Sequence, residues 1–148
     1  MSNSELKVLI FNINGEYYAT DIKEVERILG YEETTRLPDS PDFVQGLINY
    51  EGGILPIISL TTRFNLGEHV SKQESKIIVT KHDDEMYGII VDVVSEVRDI
   101  NADDIEETPK VVSGISRRYI KGLIKLDNRI IIFLNLANIL TEEEKALL

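Results

Sequence analysis

Residues 46–60 and 122–136 carry one pattern twice. Gly46-Leu47-Ile48-Asn49-Tyr50 leads through the turn Glu51-Gly52-Gly53 into Ile54-Leu55-Pro56-Ile57-Ile58-Ser59-Leu60. Gly122-Leu123-Ile124-Lys125-Leu126 leads through Asp127-Asn128 into Arg129-Ile130-Ile131-Ile132-Phe133-Leu134-Asn135-Leu136. Each copy reads as a glycine, an apolar strand, an acidic polar turn, a second apolar strand and a helix start. Asn and Gly turn a hairpin cheaply because they tolerate positive φ. The flanking runs are β-branched and bounded, as buried strands are. Two copies fill a chain of 148 residues, so the pattern predicts two similar small barrels rather than a long array.

The remaining elements follow from local signals. Leu6 to Ile13 reads as a strand, Asn14-Gly15 as a hairpin turn and Glu16 to Thr20 as the returning strand. Asp21-Ile22-Lys23-Glu24 has the form of a capping box, and Ile22, Val25, Ile28 and Leu29 follow at helical spacing up to Gly30. A short amphipathic helix is therefore expected there. Pro38 and Pro41 mark an extended connection, and Leu60, Phe64 and Leu66 a helical turn. Lys76 to Thr80 and Met86 to Val91 are strands. Glu85-Met86-Tyr87-Gly88 echoes Glu16-Tyr17-Tyr18-Ala19. Val91, Val94 and Val97 fit a helix or a strand equally. Asn101 to Arg118 is the longest irregular stretch, and Thr141-Glu142-Glu143-Glu144 is a second capping box opening a C-terminal helix.

Catalysis finds little support. His69 and His82 lie in polar loops without convergent partners, and Asp83-Asp84-Glu85, Asp103-Asp104 and Glu106-Glu107 lack the spacing of a calcium loop. Gly52-Gly53 does not extend to a phosphate-binding fingerprint. Absence of cysteine removes disulfides, thiolate metal sites and cysteine nucleophiles. No metal or cofactor is expected. A net charge of −10 with no tryptophan argues against a nucleic-acid binder or an anionic-membrane binder. The N-terminus lacks a signal peptide's basic and apolar regions, and the longest apolar stretch is too short to span a bilayer. A cytoplasmic protein is expected, without direct membrane insertion. What remains is apolar side chains on short elements, which fill cores or line a groove for a partner helix.

Four stretches together carry a family resemblance: Asn14 to Gly30, Pro41 to Asn49, Gly52 to Phe64 with its Leu-Pro-Ile-Ile and Arg-Phe, and Gly88 to Val97. Tyr119 to Leu136 also fits. The chain resembles CheW, the adaptor of bacterial chemotaxis arrays, over essentially its whole length. The resemblance implies a mainly β fold of two SH3-like five-stranded barrels with short helices between them and at the C-terminus. The expected subdomains are 14–82 and 6–13 with 83–148.

It further implies a non-enzymatic adaptor, at membrane-associated receptor arrays, coupling transmembrane chemoreceptors to the histidine kinase CheA. The receptor's cytoplasmic helical tip would meet Val25, Ile28, Leu29, Gly88, Val94 and Val97. The kinase's regulatory domain would meet Gly46, Asn49, Glu51, Gly52, Ile54 and Leu66, with a second kinase contact near Glu106 and Val111. An adaptor of a motility, pilus or second-messenger cluster is the alternative, or a module of the CheV or CheA kind. The length leaves no room for those proteins' further domains, and the Met1 start with a capped C-terminal helix favours a stand-alone module. Two positions depart from the family, which commonly has Arg where Glu51 stands and Asp where Ser59 stands. A pairing between that Arg and Asp would explain their joint loss.

Overall fold

In a computed structural model describing residues 5–67, 72–111, 118–141 and 144, the strands run in chain order. They are β1 (Glu5–Ile13), β2 (Glu16–Asp21), β3 (Val25–Gly30), β4 (Val44–Tyr50), β5 (Gly53–Ile58), β6 (Lys76–His82), β7 (Glu85–Val91), β8 (Val93–Asn101), β9 (Ile105–Glu106), β10 (Ile120–Leu126) and β11 (Arg129–Leu134). A four-residue helix, α1 (Leu60–Arg63), follows β5. The repeated segments are the antiparallel hairpins β4–β5 and β10–β11. Their turns hold positive φ at both central residues, Glu51 (49°) and Gly52 (81°), then Asp127 (52°) and Asn128 (63°). Asn14 and Gly15 do the same between β1 and β2. These are the turns whose twist matches a right-handed hairpin.

The strands form two sheets, ordered β8-β1-β2-β11-β10-β9 and β3-β6-β7-β5-β4. The two orders correspond strand for strand. β9 pairs with β10 where, in the other sheet, a single bridge joins Thr35 to Leu47 on β4. Contacts divide the chain into Met1–Glu24 with Val94–Leu148, and Val25–Val93. Those boundaries differ from the expected 14–82. The hairpin β1–β2 belongs whole to the discontinuous unit, because β2 pairs with β11.

The likeness between units reaches individual bonds. Ser59 N–H donates to the Phe43 carbonyl (2.8 Å), and Asn135 N–H donates to the Tyr119 carbonyl (2.7 Å). Bulges fall at the same place, between Val44 and Gly46 and between Ile120 and Gly122. Both glycines are needed for close approach. A Cβ on Gly46 would lie 2.6 Å from Thr34 Cβ and 2.8 Å from the Thr35 carbonyl oxygen. One on Gly122 would lie 2.5 Å from Ile105 Cγ2. Each unit has its own apolar core, around Ile10, Ile124 and Phe133 in one and Ile57, Ile77 and Ile90 in the other. β1 is buried on both faces, since Leu9, Phe11 and Ile13 are as enclosed as Val8 and Ile10. Phe11 stacks on Tyr18 (5.9 Å between centroids). Burial, and then the charge of Glu16, raises the Tyr18 hydroxyl above its usual pKa.

One expected helix is a strand. Only Ile22–Glu24 is helical, a 3-10 turn, and Val25–Gly30 forms β3 against β6. The Asp21 carboxylate accepts from Lys23 N–H, while Glu24 Oε1 accepts from the Thr20 hydroxyl and Leu136 N–H. Glu24 thus ties the end of β2 to the segment after β11. A bulge between Val25 and Arg27 disguises the strand's period of two. The ambiguous valine stretch is strand throughout, Val91 ending β7 and Val94 and Val97 lying on β8. At Thr141 the expected box is present: Thr141 N–H donates to Glu144 Oε1 (2.8 Å) and Glu144 N–H to the Thr141 hydroxyl (3.1 Å). The remainder of that C-terminal helix lies outside the described residues.

The glycine packing is testable by urea denaturation. Gly46→Ala forces Thr34 and the Thr35 backbone apart and is expected to cost about 2 kcal/mol. Gly30→Ala, whose Cβ meets nothing within 4 Å, is expected to stay within about 0.5 kcal/mol of the parent.

Candidate functional site

The hairpin β4–β5 has one face in the core and one outward. Ile48, Tyr50, Leu55 and Ile57 point inward. The alternate residues pair across the outer face, Leu47 with Pro56 and Asn49 with Ile54. Ile54 is 71% exposed, a large apolar group beside a polar amide at the hairpin tip. The turn between them carries Glu51, whose Oε2 lies 3.1 Å from Arg27 Nη1 on β3. The Arg27 guanidinium also sits over the Tyr50 ring, 5.8 Å from its centroid. The structure thus brings Asn49, Glu51, Gly52 and Ile54 together at one tip. Leu66 is exposed just beyond α1. Gly46 is buried beneath Thr34, where a side chain would not fit.

The six residues expected at the receptor surface do not share one character. On β3, Ile28 is 41% exposed, whereas Leu29 packs against the core of its unit and Val25 is half-buried. Gly88 is buried on β7, where a Cβ would lie 2.7 Å from Ile57 Cδ1. On β8, Val97 is 50% exposed, and Val94, three residues before it on a strand, points to the other face. Ile28 and Val97 are the outward-facing members, with Val93 exposed beside them in sequence.

Glu106 stands on β9 opposite Leu123, with its Oε2 3.6 Å from Lys125 Nζ. Val111 is 89% exposed. A shallow cleft of about 320 Å³ runs beside Glu106, with Asp99, Asp104 and Lys125 on its rim and Ile100 and Ile124 below. His82 stands next to Asp83 (3.7 Å) at a turn, and His69 lies outside the described residues. Among the described residues no three His, Cys, Asp or Glu side chains converge on a metal-sized site, and no helix is long and apolar enough to cross a membrane.

Sequence reasoning missed Arg27 and Arg98. Arg98 on β8 reaches Asp127 in the β10–β11 turn (3.4 Å), just as Arg27 on β3 reaches Glu51. The signal was available: both arginines precede the repeated hairpins in corresponding strands. It is hidden because the bulge in β3 gives its apolar residues a spacing that also suits a helix.

The CheW-like domain family matches residues 7–144. The chain belongs to that family. It is 34% identical over 139 residues to the chemotaxis protein CheW of Klebsiella aerogenes, covering 94% of this chain and 84% of that protein. It is 33% identical over 138 residues to the CheW of Thermotoga maritima, covering 93% and 89%. The solved structure of the scaffolding protein TtCheW from Thermoanaerobacter tengcongensis superposes with a TM-score of 0.81 at 32% identity, covering 91% of this chain and 87% of that one. These relatives make the chain a chemotaxis adaptor of the scaffold type, not an enzyme.

Within this CheW-like frame the two departures separate. Ser59 caps α1, its hydroxyl accepting from Thr62 N–H (3.4 Å). Asp caps a helix as well as Ser does, so that change keeps the function of the position. Glu51 lies beyond the far end of β5, roughly 25 Å away along extended chain. An Arg and an Asp at these two positions do not pair, and the joint loss needs no coupling. Ser59→Asp is expected to leave stability within about 0.5 kcal/mol and Ser59→Ala to lower it by about 1 kcal/mol. Ser59→Asp and Glu51→Arg are expected to be additive in urea denaturation.

Proposed function

We propose that the chain joins the cytoplasmic helical tip of a transmembrane chemoreceptor to the regulatory domain of the histidine kinase CheA, in the cytoplasm at a receptor array. The observation that carries this is the β4–β5 tip. Ile54 stands out of the barrel as an exposed apolar anchor, with Asn49 across from it and Glu51-Gly52 beside it. Interfaces concentrate their energy in such anchors ringed by polar groups. Burying one isoleucine is worth about 1.5–3 kcal/mol, which decides affinity where most of the contact is neutral. The receptor tip is assigned to Ile28 and Val97, the outward apolar members of their strands. Glu106 and Val111 are the second kinase contact, with Val111 as its exposed apolar member. Binding alone accounts for the activity, since an adaptor acts by raising the effective concentration of its partners.

Two exposed substitutions separate the surfaces. Ile54→Asp is expected to weaken the cognate kinase regulatory fragment about thirty-fold or more in calorimetric titration, and to leave receptor-tip binding unchanged. Val97→Asp is expected to do the reverse. Both side chains are outward, so circular dichroism and melting temperature are expected to match the parent. If neither variant alters either affinity, the assignment is wrong.

A further inference from the structure

The two hairpin turns are built alike except in how their carboxylates are neutralised. In the β10–β11 turn, Asp127 Oδ2 lies 3.4 Å from Arg98 Nη1 and 3.7 Å from Arg129 Nη2. Asp127 therefore faces two guanidinium groups, of which Arg98 is shared with Glu96 (3.5 Å) and Arg129 is further fixed over the Tyr17 ring at 4.3 Å. In the β4–β5 turn, Glu51 takes the place of Asp127 and Arg27 that of Arg98. The residue corresponding to Arg129 is Gly53, which has no side chain to offer. The space there is open: a Cβ on Gly53 would meet only the Tyr50 carbonyl oxygen, at 3.6 Å.

We propose that the kinase's regulatory domain places a cationic side chain, Arg or Lys, against Glu51, in the place that Arg129 fills in the other turn. This rests on the reading of the β4–β5 tip as the kinase surface and adds the chemistry by which it chooses its partner. The pair Arg27–Glu51 is half-exposed, and such pairs add little to stability. Its value appears on docking, when water leaves the tip and charge interactions strengthen. Arg27 holds the carboxylate in position beside Ile54 and Asn49, Gly53 keeps the approach clear, and the incoming cation completes the two-cation set. The sign of the turn is a feature of this chain, since Glu51 stands where the resemblance implies Arg. A kinase domain matched to an Arg turn would bring the wrong charge to it.

The test is calorimetric titration of the cognate kinase regulatory fragment into the full chain at low and high salt. Glu51→Gln is expected to weaken binding about ten-fold and to reduce its salt dependence. Gly53→Arg supplies the cation from within and is expected to weaken binding about ten-fold, whereas the neutral Gly53→Gln is expected to change it less than about three-fold. Melting temperatures matched to the parent confirm that the fold is intact. Glu51→Gln binding like the parent at both salt concentrations, or Gly53→Arg no weaker than Gly53→Gln, overturns the proposal. Ile54→Asp separates the levels. If it abolishes binding while Glu51→Gln does not, the cation contact alone is wrong; if it has no effect, the kinase surface is wrong and this inference falls with it.

Discussion

The structure depends on a parallel seam, made twice. β5 lies parallel to β7 with Ile57 opposite Gly88, and β11 lies parallel to β2 with Phe133 opposite Ala19. At each seam a large residue of the repeated hairpin meets a residue with little or no side chain. Gly88 leaves room for Ile57 and Ile77, and the larger side chain fills what the smaller one vacates. The seam joins hairpins that are distant in sequence. β1–β2, at the start of the chain, completes the unit whose other hairpin is near its end, and the continuous unit Val25–Val93 is inserted between β2 and β8.

The exposed surfaces follow from that constraint. Once the inner face of a hairpin is fixed in the core, strand alternation forces the other residues outward. Ile54 is exposed for the same reason that Leu55 and Ile57 are buried, and Ile130 is exposed in the corresponding place of β11. The turns at the hairpin tips need positive φ, which leaves them short and polar, suited to carry a charge. The arginines on β3 and β8 then reach those turns from a strand at the end of each sheet.

Much of this was legible in the sequence. The repeated segment marked both hairpins, Asn14-Gly15 marked a third, and the echo between Glu16–Ala19 and Glu85–Gly88 anticipated the two seams. The strand β3 was not legible. With most of its residues exposed and a bulge at its start, its apolar positions fall at a spacing that also suits a helix. The expected split placed 6–13 with the later part of the chain and left 14–24 with the first barrel, whereas pairing keeps β1 and β2 together beside β11. Within the site, Asn49, Glu51, Gly52 and Ile54 were named through the family resemblance, and one hairpin tip holds them together. The crowding around Gly46 and Gly88 was not legible, because a residue without a side chain gives no sign in sequence of what lies against it.

The account stands on the claim that one chain holds two partners at once through separate surfaces. Sedimentation velocity on the chain mixed with the cognate kinase regulatory fragment and a receptor-tip fragment, each in excess of its Kd, tests this directly. The account predicts a ternary species heavier than either binary complex. Binary complexes that exclude one another, or a chain that sediments alone with both fragments present, would contradict it.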